Sequence, residues 1–202
     1  MDMKVLPRLN VLRVTVLSLT VNALYAAANL LMGLREPSPW FLTLGIYYLL
    51  LTLMRLLVLF VKENPVVPKL IGGMLMSTAL PLVGTVILCA LVDVGTEHHM
   101  IVMIAIAAYA FTKITLAIIH RIRLRKRASV AERTLRSISL ADAVVSIASL
   151  QRSMLVSFEG MTETEIQIFN VATGTVACLL VFAIGWWLCV HSPYNKKHES
   201  LS

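Results

Sequence analysis

Four ionisable side chains interrupt otherwise apolar stretches of this chain: Arg55, Lys113, Asp142 and Arg152. A charge in hydrocarbon is expensive, so each marks an ion or proton pathway, a substrate contact or a buried salt bridge. At about 1.5 Å per residue, Arg55 and Lys113 lie about 10 Å from the basic ends of their segments and Asp142 about 8 Å, which puts the three in one layer. Lys113 and Asp142 stand on consecutive antiparallel segments, so they are expected to pair, with Arg55 as the competing partner. Both a structural salt bridge and a proton or cation site fit this layer. For Arg55 and Lys113 a long stem reaching back to the headgroups fits too. Asp142 is too short to do so easily, which makes it the best single choice for a functional carboxylate. Arg152 lies near the opposite end of its segment, close to Glu159, where snorkelling accounts for it.

A second set of candidates is polar and uncharged. Ser139, Asp142, Ser146, Ser149 and Ser153 fall within about 80° of one another on a helix. Thr15, Ser18, Asn22, Tyr25 and Asn29 repeat the same offsets. Such stripes turn away from lipid, because hydrogen-bonding groups want partners and small residues let helices approach closely. They serve either as helix-packing seams or as walls of a water-lined path or binding cleft. Gly73, Ser77, Pro81 and Gly84 make a third face, and Pro81 removes one backbone hydrogen bond near the middle of its segment. A kink is expected there, which either exposes carbonyls to a solute or is re-satisfied by neighbouring helices. Gly174-x-x-x-Cys178 and Thr173-x-x-x-Ala177 supply further small-residue contacts.

Catalytic signatures are missing. There is no His-Glu-x-x-His, no Gly-x-Ser-x-Gly elbow and no Walker loop, and Asp142 is the one carboxylate within any apolar stretch. No enzyme is expected, and no cofactor. Cys89, Cys178 and Cys189 have no CxxC spacing and read as small buried apolar residues rather than ligands. Asp93, Glu97, His98 and His99 combine carboxylates with imidazoles, but a polar turn produces that composition readily, so no metal is expected.

The elements that must position these residues follow from composition. Of 202 residues 58% are hydrophobic, and the mean hydropathy is +0.81. A soluble globule is about half apolar, so this chain belongs in lipid. A hydrocarbon core about 30 Å thick needs roughly 20 apolar residues per helix. Six segments approach that length, over residues 9–34, 38–61, 70–92, 100–119, 137–158 and 166–190. The expected fold is therefore all-α: one transmembrane domain over 1–202, a six-span helical bundle.

Basic residues set its orientation. Of eighteen lysines and arginines, fourteen fall in alternate gaps between these segments, and Arg35 alone falls in the other set. Lys4, Arg8 and Arg13 mark the N-terminal tail, Lys62 and Lys69 the second gap, Arg121 to Arg136 the fourth, and Lys196 and Lys197 the C-terminal tail. By the positive-inside rule both termini are cytoplasmic. Lys4 to Arg13 followed by Ala26-Ala27-Ala28 also fits a cleaved signal peptide, but hydrophobicity continues through Leu34, which suits a full span better. No Asn-x-Ser/Thr sequon occurs, as suits a bacterial cytoplasmic membrane.

Gly33 suits a helix C-terminus, and Pro37, Pro39, Pro65 and Pro68 punctuate the next two gaps. Trp40 and the Trp186-Trp187 pair fall where aromatic belts are expected. Thr162-x-x-Glu165 is a capping box opening the last span. Ser129-x-x-Glu132 is another, so the fifth span begins in the cytoplasm. Together with the end of the fourth it makes a basic helical hairpin over about 120–136, carrying Arg121, Arg123, Arg125, Lys126 and Arg127. Anionic lipid at the cytoplasmic face is its expected partner, with a docked protein or a second copy of the chain as alternatives. Nucleic acid is not expected, because no aromatic residues interleave with the charge.

The stretch from Tyr109 to His120, with Ser137 to Ser146 and Ala172 to Cys178, resembles a family of small six-span bacterial membrane proteins of unknown function. That resemblance covers roughly the C-terminal half; it implies a bacterial cytoplasmic membrane and no activity. In size and span count the chain also looks like the substrate-binding membrane subunits of vitamin importers, and Ala23-x-x-x-Ala27 is similar to their packing motif. Its very short outer loops depart from that family. Two functional expectations follow: a small-solute transport or substrate-binding membrane subunit, or a noncatalytic scaffold or regulatory subunit docking through the basic hairpin.

Overall fold

A computed structural model describes residues 5–35, 39–61, 64, 66–91, 129–157 and 161–192, with the helical positions Ala108, Phe111 and Thr115. Among the described residues the helices with defined bounds are α1 (Val5–Arg35), α2 (Pro39–Phe60), α3 (Val67–Leu91), α4 (Val130–Ser157) and α5 (Glu163–Val190). No strand occurs among the described residues, in keeping with the all-α expectation.

Four of these helices contain stretches long and apolar enough to cross a bilayer: Thr15–Arg35, Phe41–Phe60, Val67–Leu88 and Glu163–Val190. α4 forms where a fifth span was expected, but Arg133, Arg136, Asp142, Arg152 and its serines keep it out of that set. The expected span over 100–119, with Lys113, lies outside the described residues apart from three isolated positions. So do the basic run from Arg121 to Arg127 and the Asp93 to His99 cluster.

Helix ends follow their local chemistry. α2 opens on Pro39 and α3 carries Pro68 in its first turn, where a missing N–H breaks no helical bond. The Asn64 side chain accepts from the Val66 amide at 3.0 Å, turning the chain into α3. At the head of α4 the Glu132 amide donates to Ser129 Oγ at 3.3 Å, and the Ser129 amide to Glu132 Oε2 at 3.0 Å. Thr162 and Glu165 repeat the box at the head of α5, at 3.3 and 2.9 Å. Gly33 lies in the last turn of α1, two residues from its end. A Cβ there would sit 2.9 Å from the Leu42 amide nitrogen, so its missing side chain serves close helix approach.

Contacts divide the chain into two compact units, Met1–Lys62 and Glu63–Ser202. In the first, α1 and α2 form an antiparallel pair. Ser18 meets Arg55, Tyr25 meets Tyr48, Leu30 meets Gly45 and Gly33 meets Leu42, so numbers rise on one helix as they fall on the other.

In the second unit α3 and α5 run antiparallel along their whole length. Cys189 Sγ donates to the Lys69 carbonyl at 3.4 Å at one end, and Gln167 Nε2 to the Ala90 carbonyl at 2.6 Å at the other. Between them Gly72 crosses Gly185 and Gly174 receives Val86. α4 packs against α5 and, over a shorter contact, against α3. α3 stays helical through Pro81, with Thr78 and Thr85 donating to carbonyls three residues back at 2.7 and 2.6 Å. The face built on Gly73 and Gly84 meets no described atom within 4 Å; the glycine that packs is Gly72, one position earlier.

Candidate functional site

α1 and α4 bury polar stripes and turn large apolar side chains outward. On α1, Thr15, Ser18, Asn22 and Asn29 are buried, while Leu17, Leu24, Leu31 and Leu34 face outward, Leu24 at 67% exposure. α4 buries Asp142, Ser146 and Ser149 and presents Arg133, Leu140, Ile147 and Met154 at seven-residue intervals. Apolar side chains outside and hydrogen-bonding groups inside are compatible with a bilayer surround.

In the first unit the polar line of α1 meets a buried cation. Arg55 keeps 1% of its surface, and its Nη1 donates to both the Ser18 carbonyl, at 3.1 Å, and the Ser18 hydroxyl. That is not a snorkelling geometry: a stem stretched toward headgroups would leave the guanidinium open, whereas this one is turned onto the neighbouring helix. Asn22 is fully buried one turn from Ser18. Tyr25, partly buried, stands edge-on to Tyr48 with ring centroids 4.8 Å apart, and Tyr48 is edge-on to Tyr47 at 5.4 Å. The Asn29 side chain donates to the Tyr25 carbonyl at 2.7 Å. Five of the expected residues, Ser18, Asn22, Tyr25, Asn29 and Arg55, thus share one buried face of an antiparallel pair. Tyr48, fully buried beside them, belongs to this face, and Tyr47 is fully buried against its ring; neither was singled out from sequence.

In the second unit Asp142 is fully buried, and its carbonyl accepts the Ser146 hydroxyl at 2.8 Å. Ser153 donates to the Ser149 carbonyl at 3.1 Å, and Ser139 and Ser153 are partly buried at the stripe's flanks. Arg152 is buried too. This corrects the snorkelling reading, because a headgroup-seeking guanidinium would keep most of its surface. α5 adds a residue missed from sequence, Asn170, buried within an apolar run. An asparagine there is the signal that could have found it. Lys113, and with it the expected pairing to Asp142, lies outside the described residues.

No protein family, curated protein or solved structure matches this chain. Its reading therefore rests on its own residues. Four apolar helices are compatible with an integral membrane protein. Chemically, the described faces offer hydroxyls, carboxamides, tyrosine rings, one guanidinium held by a hydroxyl and one carboxylate in a stripe of serines. They can bind and orient polar groups in an apolar surround; no nucleophile with an activating base stands among the contacts described above.

Proposed function

We propose that the protein is a small-solute transport or substrate-binding membrane subunit, a six-span bundle of the bacterial cytoplasmic membrane with both termini inside. The observation that carries this is the inward turn of both polar stripes, together with Arg55, which lies on the Ser18 side chain and main chain rather than reaching outward. Close helix approach needs only small residues, with hydroxyls and carboxamides as interhelical hydrogen-bonding partners. Tyrosines, asparagines, a guanidinium and a carboxylate are more than close approach requires, and each is costly to bury. Conduction or binding of a polar solute uses such groups together.

In this reading Asp142 is the ionisable group of the α4 stripe and Arg55 that of the α1 face. The basic run from Arg121 to Arg127 anchors the cytoplasmic side on anionic lipid, each cation near the surface contributing about 1 kcal/mol. The test is a solute screen by thermal shift on the purified full chain, followed by uptake into proteoliposomes. Asp142→Asn should abolish uptake of any solute found while leaving the helical circular dichroism intact. Undiminished uptake by that variant overturns the assignment.

A further inference from the structure

Among the described residues, Ser149 Oγ on α4 and both Oδ1 and Nδ2 of Asn170 on α5 are buried polar atoms with no hydrogen-bond partner. Ser149 keeps 5% of its surface and Asn170 7%. Their neighbours are ordinary by comparison. Ser146 and Ser153 on the same helix each donate to the carbonyl four residues back, the usual solution for a hydroxyl in an apolar helix. Ser149 leaves that solution unused.

Ser149 is eight residues from the end of α4, about 12 Å, and Asn170 seven from the start of α5, about 10 Å. The helices pack together and are joined by residues 158–162. Around α5, Asn170 stands about 60° from the line of Gln167, Gly174 and Gly185 that meets α3. It shares that flank with buried Ala177 and Leu188, and α4 is the other described neighbour of α5 in this unit.

A carboxamide open on both sides offers an acceptor and a donor next to each other in one plane. Its complement is a group with a donor and an acceptor at the same spacing, that is, an amide or an equivalent heterocycle edge. An anion would face Oδ1 and a cation the Nδ2 hydrogens, so a neutral group fits best; the Ser149 hydroxyl can donate or accept as needed. We propose that Ser149 and Asn170 form a subsite for the amide group of a small neutral solute within the α4/α5 hairpin. The proposal rests on the solute-binding reading above and names a substrate class for it. A packing seam would be better served by leucine at position 170, because removing orphaned polar groups from an interior is neutral or stabilising.

The experiment is saturation-transfer NMR on the full chain in detergent, with acetamide as probe and acetate and acetone as controls. Acetamide offers donor and acceptor, while the controls only accept. The acetamide methyl should receive transfer from the native chain, at least fivefold less from Asn170→Leu, and neither control should match it. Asn170→Leu should melt no lower than the native chain. If it melts lower, Ser149→Ala, which removes a single oxygen, carries the same comparison and must also lose transfer. Equal transfer from native and variant chains overturns the subsite, as does acetate matching acetamide. No transfer from the native chain means a bound water only, and overturns it too. A screened solute whose affinity survives Asn170→Leu would overturn this subsite and leave the wider solute-binding reading standing.

Discussion

Gly72 and Gly73 are neighbours in sequence on α3, yet alanine should act on them with opposite sign. At Gly72 an added Cβ would stand 2.7 Å from the Gly185 carbonyl oxygen and 3.0 Å from the Cys189 amide nitrogen. Both are backbone atoms of a helix that cannot give locally, so α3 and α5 must separate by about 0.7 Å to restore ordinary contact. A gap of that size forfeits roughly a quarter to a half of the attraction between the facing atoms. Overpacking of this kind costs about 1 to 3 kcal/mol, the upper end applying where backbone meets backbone. Alanine recovers up to about 1 kcal/mol of helix propensity, leaving Gly72→Ala destabilised by about 2 kcal/mol. At Gly73 no described atom lies within 4 Å, so only the propensity gain remains. The adjacent substitutions should then differ by about 3 kcal/mol, more than a hundredfold in the unfolding equilibrium. Reversible unfolding of the full chain by SDS titration in mixed micelles reads this directly. A Gly72→Ala chain as stable as native, or a Gly73→Ala chain that falls with it, would refute the close-crossing account.

Other outcomes follow from the same geometry. Arg55→Lys keeps the charge but loses the rigid fork on Ser18, and should cost about 2 kcal/mol; Ser18→Ala should cost about 1, and the double variant less than their sum, in a double-mutant cycle. Thr162→Ala opens the capping box of α5 and should cost about 1 kcal/mol, with faster amide exchange at Glu165 as its local signature. Gln167→Leu removes the bond to the Ala90 carbonyl and should lower the melting temperature, whereas Gln167→Glu, unable to donate, should do no better. In a cysteine-free background, Arg133→Cys should react with an impermeant maleimide only after the cytoplasmic side is opened, and Thr164→Cys from outside without it; the reverse pattern would invert the proposed topology.

Helix positions were legible in the sequence because apolar length, proline placement and capping boxes are local signals. Two boxes and the ends of α2 and α3 fall within a few residues of where those signals put them. The burial of the α1 and α4 stripes was legible too, since periodicity alone tells which residues share a face. Which glycine packs was not. Gly72 and Gly73 differ by about 100° around the helix, and choosing between them needs the partner helix that only tertiary structure supplies. The fate of long cations was likewise unreadable. Arg55 and Arg152 have stems long enough to snorkel or to turn inward, and the neighbouring helix, Ser18 in the case of Arg55, decides between them.

The polarity of α4 bears on how the chain enters its membrane. In the six-span reading this helix must be inserted although its apolar content falls short of the other four, and it carries Asp142 and Arg152, charges whose cost would reach about 2.5 to 3.5 kcal/mol each at a helix centre. Alone it would be a poor passenger for the insertion machinery. α5, which is long and apolar enough to cross a bilayer and joined to it by residues 158–162, can carry it in as a hairpin and cover its polar side on arrival. Biogenesis would then run late through the C-terminal pair, and a chain truncated before α5 should leave α4 stranded at the membrane surface.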